Sequence, residues 1–173
     1  MRGILQSKLQ GFNPTDMERI EKFMKEAIDL AGRNAGSVTG GPFGALIVRG
    51  EEIISAQTNS VTPDKDPTAH AEVNAIREAC KKLDTFDLSG CTLYTSCEPC
   101  PMCLSAAYWA KVDKIYFAAG RDDAADAGFN DSFIYDEFSK KMEERSIPIE
   151  QILPEEGKKP FDLWKINDEK IPY

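Results

Sequence analysis

Histidine is nearly absent from this sequence: among 173 residues there is one, His70. Any catalysis or metal binding that uses imidazole must therefore pass through that position. Long apolar runs are missing too, and none reaches the roughly 18 residues that a membrane-spanning helix needs. The opening stretch, MRGILQSKLQGF, is too short and too polar for the apolar segment of a secretory signal, so a cytoplasmic protein is expected. Basic charge is scarce as well. Lys and Arg number 21 against 29 Asp and Glu, a net charge of −8, and the short lysine pairs at 81–82, 140–141 and 158–159 form no stripe. Proteins that grip phosphate backbones draw affinity from a basic face. The balance here weighs against a nucleic-acid partner.

What is present looks like one ordinary domain. Apolar residues make up 42% of the chain, and a chain of this length can bury about 70% of its unfolded surface without covalent staples. Five cysteines is an odd number, and Cys97, Cys100 and Cys103 crowd into one short stretch. In a reducing compartment that crowding favours metal or catalytic use over a disulfide framework.

Periodicity supplies the elements. NPTDMERIEKFMKEAIDLAGRNAG predicts a helix, with Thr15 and Glu18 in capping-box spacing and Met17, Ile20, Met24, Ala27, Ile28 and Ala31 on one face. Residues 43–48 and 52–58 predict an antiparallel hairpin, and 59–67 a loop. A helix is expected over about 68–83, capped by Thr68. A strand follows at 91–96, a helix at 101–111 with Pro101 in its first turn, and a strand at 114–119. Helix, strand, helix, strand in this order implies a parallel crossover on a mixed sheet. Beyond it we expect a loop at 120–131, a short helix near 132–144 and an edge strand at 147–153. PEEGKKP (154–160) has the composition of a linker, and 161–170 that of a last short helix.

The cysteines and the histidine fall at helix starts. Cys100 and Cys103 lie three apart, so both thiols can face one point, and the positive end of a helix favours thiolate. Imidazole with thiolates selects zinc or iron. If the two helix starts converge, His70, Cys100 and Cys103 occupy three corners of a tetrahedron and leave the fourth to water. Two other readings stay open: a lone histidine is often only a packed residue, and Cys97 could close the site as a fourth ligand. Glu72 favours the open form, because a carboxyl beside an activated water can take its proton and pass it on. H-x-E (70–72) followed by P-C-x-x-C (99–103) is the signature of zinc-dependent nucleobase deaminases, in which the glutamate is acid and base and not a ligand.

On these residues the chain resembles the cytidine and deoxycytidylate deaminase superfamily, and within it the small zinc-dependent guanine deaminases of bacteria. GGPFGA, DPTAHAEV, YTSCEPCPMC, DAADAGFNDSFIY and the final tyrosine carry the likeness. The resemblance implies an α/β fold, a three-layer α-β-α arrangement with a mixed central sheet. It implies one zinc per chain, and hydrolytic deamination of guanine to xanthine and ammonia by a zinc-activated water. Another free base or nucleoside such as guanosine or cytosine, a tRNA adenosine, and a structural zinc module are the alternatives.

For the substrate, the resemblance implies contacts from Asn59, which offers donor and acceptor, and from Asp131, placed at the amino edge and able to shuttle a proton. Phe43 and Trp109 would wall the pocket. It also implies a homodimer in which residues 154–173 leave the deaminase domain (1–153) and exchange between subunits, with Tyr173 as a lid on the partner's site. Seven linker residues fully extended reach over ~20 Å, and Phe161, Leu163, Trp164, Ile166 and Ile171 are too apolar to hang in water.

Overall fold

A computed structural model describes residues 13–37 and 40–172, so Tyr173 lies outside the described residues. The chain divides into two compact units, Met1–Asn130 and Asp131–Tyr173.

The first unit is built on α1 (Pro14–Ala35), β1 (Gly44–Arg49), β2 (Glu52–Thr58), the short α2 (Val61–Asp64), α3 (Ala71–Leu83), β3 (Cys91–Cys97), α4 (Pro101–Trp109), β4 (Lys114–Ala119) and α5 (Arg121–Asp126). Its sheet has the order β2-β1-β3-β4. β1 runs antiparallel to β2 and β3, and β3 is parallel to β4. The parallel pair needs a crossover, which α4 supplies. The sheet is therefore mixed, as the order of elements predicts.

Alternation along β1 makes three layers. Leu46 and Val48 point to one face, where they pack with Tyr94 against Phe23 and Ala27 of α1. Ala45 and Ile47 point to the other, against Ala71, Ala75 and Ala79 of α3 and Ala107 of α4. Burying a side chain such as Leu46 is worth about 1.5–3 kcal/mol. The α1 layer sits very close at Gly44, where a Cβ would lie 2.5 Å from the Ala27 carbonyl oxygen and 2.7 Å from the Ala31 nitrogen. Only glycine allows that approach.

Several boundaries differ from expectation. α1 is capped by Asn13, whose Oδ1 accepts from the Asp16 N–H at 2.8 Å, and Pro14 opens the helix. The Thr15 capping box is not the start, because Asn-Pro already supplies cap and first turn. Thr68 does not cap α3; its N–H and hydroxyl both turn back to Asp66 Oδ1 at 2.7 Å, and His70 takes the cap position. The expected loops at 59–67 and 120–131 contain α2 and α5. Gly120 N–H, held at 2.8 Å by Asp123 Oδ2, starts α5.

The second unit holds α6 (Ser132–Ser139), a 3-10 turn (Met142–Glu144) and α7 (Pro154–Ile166). No strand forms at 147–153: among the described residues this unit has no other strand to pair with, and Pro148 offers no donor. The expected linker and last helix are instead one helix running through Pro160. Lys158–Glu155 (2.7 Å), Lys159–Glu156 and Lys165–Asp162 (3.0 Å) ion pairs line its surface. Phe161, Leu163 and Ile166 remain 65–75% exposed.

Candidate active site

Two helix starts converge on one point. His70 precedes α3 and Cys100 precedes α4; both have extended backbone, and neither uses its side chain as a cap. Their carbonyls accept the first helical bonds, from Asn74 N–H and Leu104 N–H, each at 2.9 Å. Cys103 lies one turn into α4 and is fully buried. His70 Nδ1 stands 3.6 Å from Cys100 Sγ and 3.4 Å from Cys103 Sγ. Zinc bonds of about 2.0–2.1 Å to nitrogen and about 2.3 Å to sulfur, at tetrahedral angles, separate those atoms by about 3.6 Å. The donor set and its spacing fit zinc.

The cluster is polarised. A hydrogen bond from Cys103 pulls the Cys100 thiol down to about 4, with His70 adding to the effect against burial. The same bond, with burial, holds the Cys103 proton on. Cys100 raises the His70 pKa. Cys97 stands apart: burial pushes its thiol up to about 11, and it donates to the Gly120 carbonyl at 3.7 Å. Among the described residues, the group able to share an ion is His70, Cys100 and Cys103, without Cys97. That leaves three protein ligands and an open position.

Glu72 lies in the first turn of α3, 5% exposed. Burial is the main cause raising its carboxyl pKa, and the neighbouring Cys100 raises it further, against the pull of His70 and Cys103. A buried carboxyl two residues from one ligand, in the first turn of its helix, is placed to exchange protons with whatever occupies the open corner.

Asn59 follows β2 and is 8% exposed. Its Oδ1 accepts from Gly41 N–H and Val61 N–H, both at 3.3 Å. Its backbone N–H donates to the Phe43 carbonyl at 3.1 Å. Phe43 meets Phe129 edge-on, with ring centroids 4.9 Å apart. Both rings line an apolar cavity of about 400 Å³ together with Cys97. Trp109 ends α4 at 70% exposure; six residues past Cys103 is about 600° of helix, which sets it about 120° round the helix from that ligand. Asp131 takes the cap position of α6 without a side-chain capping bond, and belongs to the second unit.

Sequence reasoning passed over Asn34 and Asn74. Asn34 Nδ2 donates to the carbonyls of Gly41 (2.7 Å) and Asn59 (2.9 Å). Asn74 Nδ2 donates to the Thr58 carbonyl at 3.1 Å and to Ser60 Oγ at 3.0 Å. The available signal was their placement inside helices, where asparagine is a weak former.

The model of the cytidine and deoxycytidylate deaminase zinc-binding region matches residues 17–119. Guanine deaminase of Bacillus subtilis (strain 168) is 53% identical over 145 residues, 84% of this chain and 93% of that protein. The X-ray structure of guanine deaminase from Bacillus subtilis superimposes with a TM-score of 0.86 at 52% identity, covering 88% of this chain and 98% of that one. A solved guanine deaminase from Nitrosomonas europaea gives a TM-score of 0.60 at 34% identity, over 70% of this chain and 75% of its own. The tRNA-specific adenosine deaminase of Aquifex aeolicus is 48% identical over 101 residues, 57% of this chain and 65% of its own length.

Proposed function

The chain belongs to the cytidine and deoxycytidylate deaminase family, and on that premise we infer that it deaminates guanine hydrolytically, releasing xanthine and ammonia. The observation that carries this reading is the His70, Cys100 and Cys103 cluster, with nitrogen-to-sulfur distances of 3.4 and 3.6 Å, beside the buried Glu72. His70 Nδ1 and the thiolates of Cys100 and Cys103 would hold zinc, which when bound would lower the pKa of a water so that it is nucleophilic near neutrality.

The protein's own groups do the rest. Glu72 accepts the proton that the water gives up and delivers it to N3 of the base as the new C–O bond forms at C2. The hydroxyl now on C2 gives its remaining proton to Glu72 or Asp131, which hands it to the amino group; the C2–N bond breaks as the C2=O double bond forms, and ammonia leaves. Because Glu72 is shut away from bulk water, each proton it takes up stays within the site until it is handed on.

Asn59 reads the base. With its Oδ1 engaged by two backbone N–H groups, its NH2 is the end that can face the acceptors O6 and N7. Asp131 accepts from the amino edge, Phe43 forms a flat wall, and Trp109 and Tyr173 complete the enclosure. For Tyr173 a second subunit is required. The deaminase domain spans 1–153, and residues 154–173 exchange within a homodimer so that Tyr173 covers the partner's site. In support, the tail presents Phe161, Leu163 and Ile166 at high exposure, and α7, 13 residues long, forms a stiff arm of about 20 Å. Among the described residues no helix is long and apolar enough to cross a membrane; the proposed compartment is the cytoplasm.

Ammonia release against guanine, guanosine, cytosine, adenine and an RNA oligonucleotide tests the reading. Guanine should be turned over, and adenine, which has no C2 amino group, should not. An RNA oligonucleotide deaminated faster than any free base would overturn it, despite the net charge of −8.

A further inference from the structure

We propose that Asn34 is a positioning residue for base recognition: its amide ties the backbone of Asn59 to that of Gly41 and so sets where the Asn59 side chain points. The proposal rests on the reading of Asn59 as a base contact. Asn34 stands in the last turn of α1, and its Nδ2 lies 2.7 Å from the Gly41 carbonyl and 2.9 Å from the Asn59 carbonyl. Two carbonyls on one nitrogen fix which end of the amide faces inward, since an oxygen there would oppose their lone pairs.

The bonds close a ring. Gly41 N–H donates to Asn59 Oδ1 at 3.3 Å, Gly41 and Asn59 both present carbonyls to Asn34, and Phe43 N–H returns to the Gly41 carbonyl at 2.8 Å. The Phe43 backbone and the Asn59 amide are thereby held in one relation. A Cβ on Gly40 would come within 2.2 Å of Asn34 Nδ2, so the glycine there leaves room for the clamp. On the other side, Asn74 grips the Thr58 carbonyl and Ser60 hydroxyl from α3. Asn74 is one turn from the metal ligand His70, to whose carbonyl its backbone N–H donates at 2.9 Å. The Asn59 peptide is thus held between α1 and the metal-bearing helix.

Closing α1 does not require the Asn34 amide. Gly36 N–H bonds back to Gly32 at 3.2 Å, and Ser37 satisfies the Asn34 carbonyl through both N–H (3.0 Å) and hydroxyl (2.7 Å). The side chain is left to serve the loop. Asparagine is among the weaker helix formers, so its presence there is not explained by the helix.

A double-mutant cycle with Asn34→Ala, Asn59→Ala and the pair tests this, reading kcat, KM for guanine, zinc content and Tm. A lost binding contact acts on ground and transition states alike, so Asn34→Ala should raise KM by about tenfold with kcat little changed. Zinc should stay at one per chain. The pair should be no worse than Asn59→Ala alone, because Asn34 acts through Asn59. Asn34→Ser, which keeps one donor, should recover part of the loss, and it carries the same cycle where Asn34→Ala fails to fold. Losses that multiply, or an Asn34→Ala enzyme with parental KM beside an impaired Asn59→Ala, overturn the proposal alone. An unimpaired Asn59→Ala sinks the base-contact reading and the proposal with it. Failure of both Asn34 variants to fold also counts against it, since Asn34 would then be a folding residue.

Discussion

Replacing Glu72 by glutamine keeps the volume and removes the proton carrier. Among the described residues Glu72 is the only buried acidic side chain, so no second buried carboxyl can take over. Loss of a positioned acid and base costs about 10²–10⁴ in rate; Asp131 is placed only for the second transfer, to the amino group, so the first has no substitute and the fall should reach the upper half of that range, about 4–5.4 kcal/mol of barrier. Stability should barely move. The carboxyl's interaction with the Cys103 thiol changes character, and a change on the scale of one hydrogen bond is worth about 0.5–1.5 kcal/mol, or at most about 6 °C in Tm for a chain of this size. The three ligand atoms are untouched, so metal analysis should still find one zinc per chain. Ammonia release from guanine, normalised to bound zinc, is the assay. A zinc-replete Glu72→Gln enzyme within tenfold of the parent would refute the assignment of proton transfer to Glu72.

Cys97→Ser should keep the metal and most activity, whereas Cys100→Ser should lose both; an empty site in Cys97→Ser would make Cys97 a fourth ligand. Gly44→Ala places a Cβ 2.5 Å from the Ala27 carbonyl oxygen, and overpacking of that kind costs about 1–3 kcal/mol. Thermal unfolding should fall by about 2–12 °C; an unchanged Tm would mean that α1 lifts off β1 freely. Deleting residues 161–173 should abolish guanine turnover while leaving zinc bound. Mixing that chain with an Asp131→Ala chain should restore part of the activity, and no rescue from proven mixed dimers would point to a tail folded on its own subunit.

The metal cluster was legible because its chemistry is local. H-x-E and P-C-x-x-C each open a helix, and the helix geometry that brings Cys100 and Cys103 to one point follows from a spacing of three. The mixed sheet was legible too, since β3, α4 and β4 form a crossover readable from element order. Less legible was everything decided by competing local bonds. Thr68 has cap chemistry, but Asp66 captures both its donors, and His70 takes the cap position with its side chain turned to the thiols. Pro160 reads as a breaker, yet α7 continues through it, with ion pairs along its surface. Asn34 and Asn74 were missed because their partners are backbone carbonyls, which carry no residue signature.

Both ligand-bearing helices begin on a residue whose side chain is withheld from capping. A serine, threonine or aspartate in such a place is worth about 0.5–2 kcal/mol, so each helix start gives up that much local stability to chemistry. The first turns of α3 and α4 are therefore soft spots joined at a seam, and an ion held by both fastens them together. Amide exchange with solvent at residues 72–74 and 102–104 should be quick when the ion is stripped and slow when it is restored, with strands β1 and β3 indifferent to either. Occupancy of the site is in this sense written into the breathing of two helix ends, and a chelator should loosen them long before it unfolds the sheet.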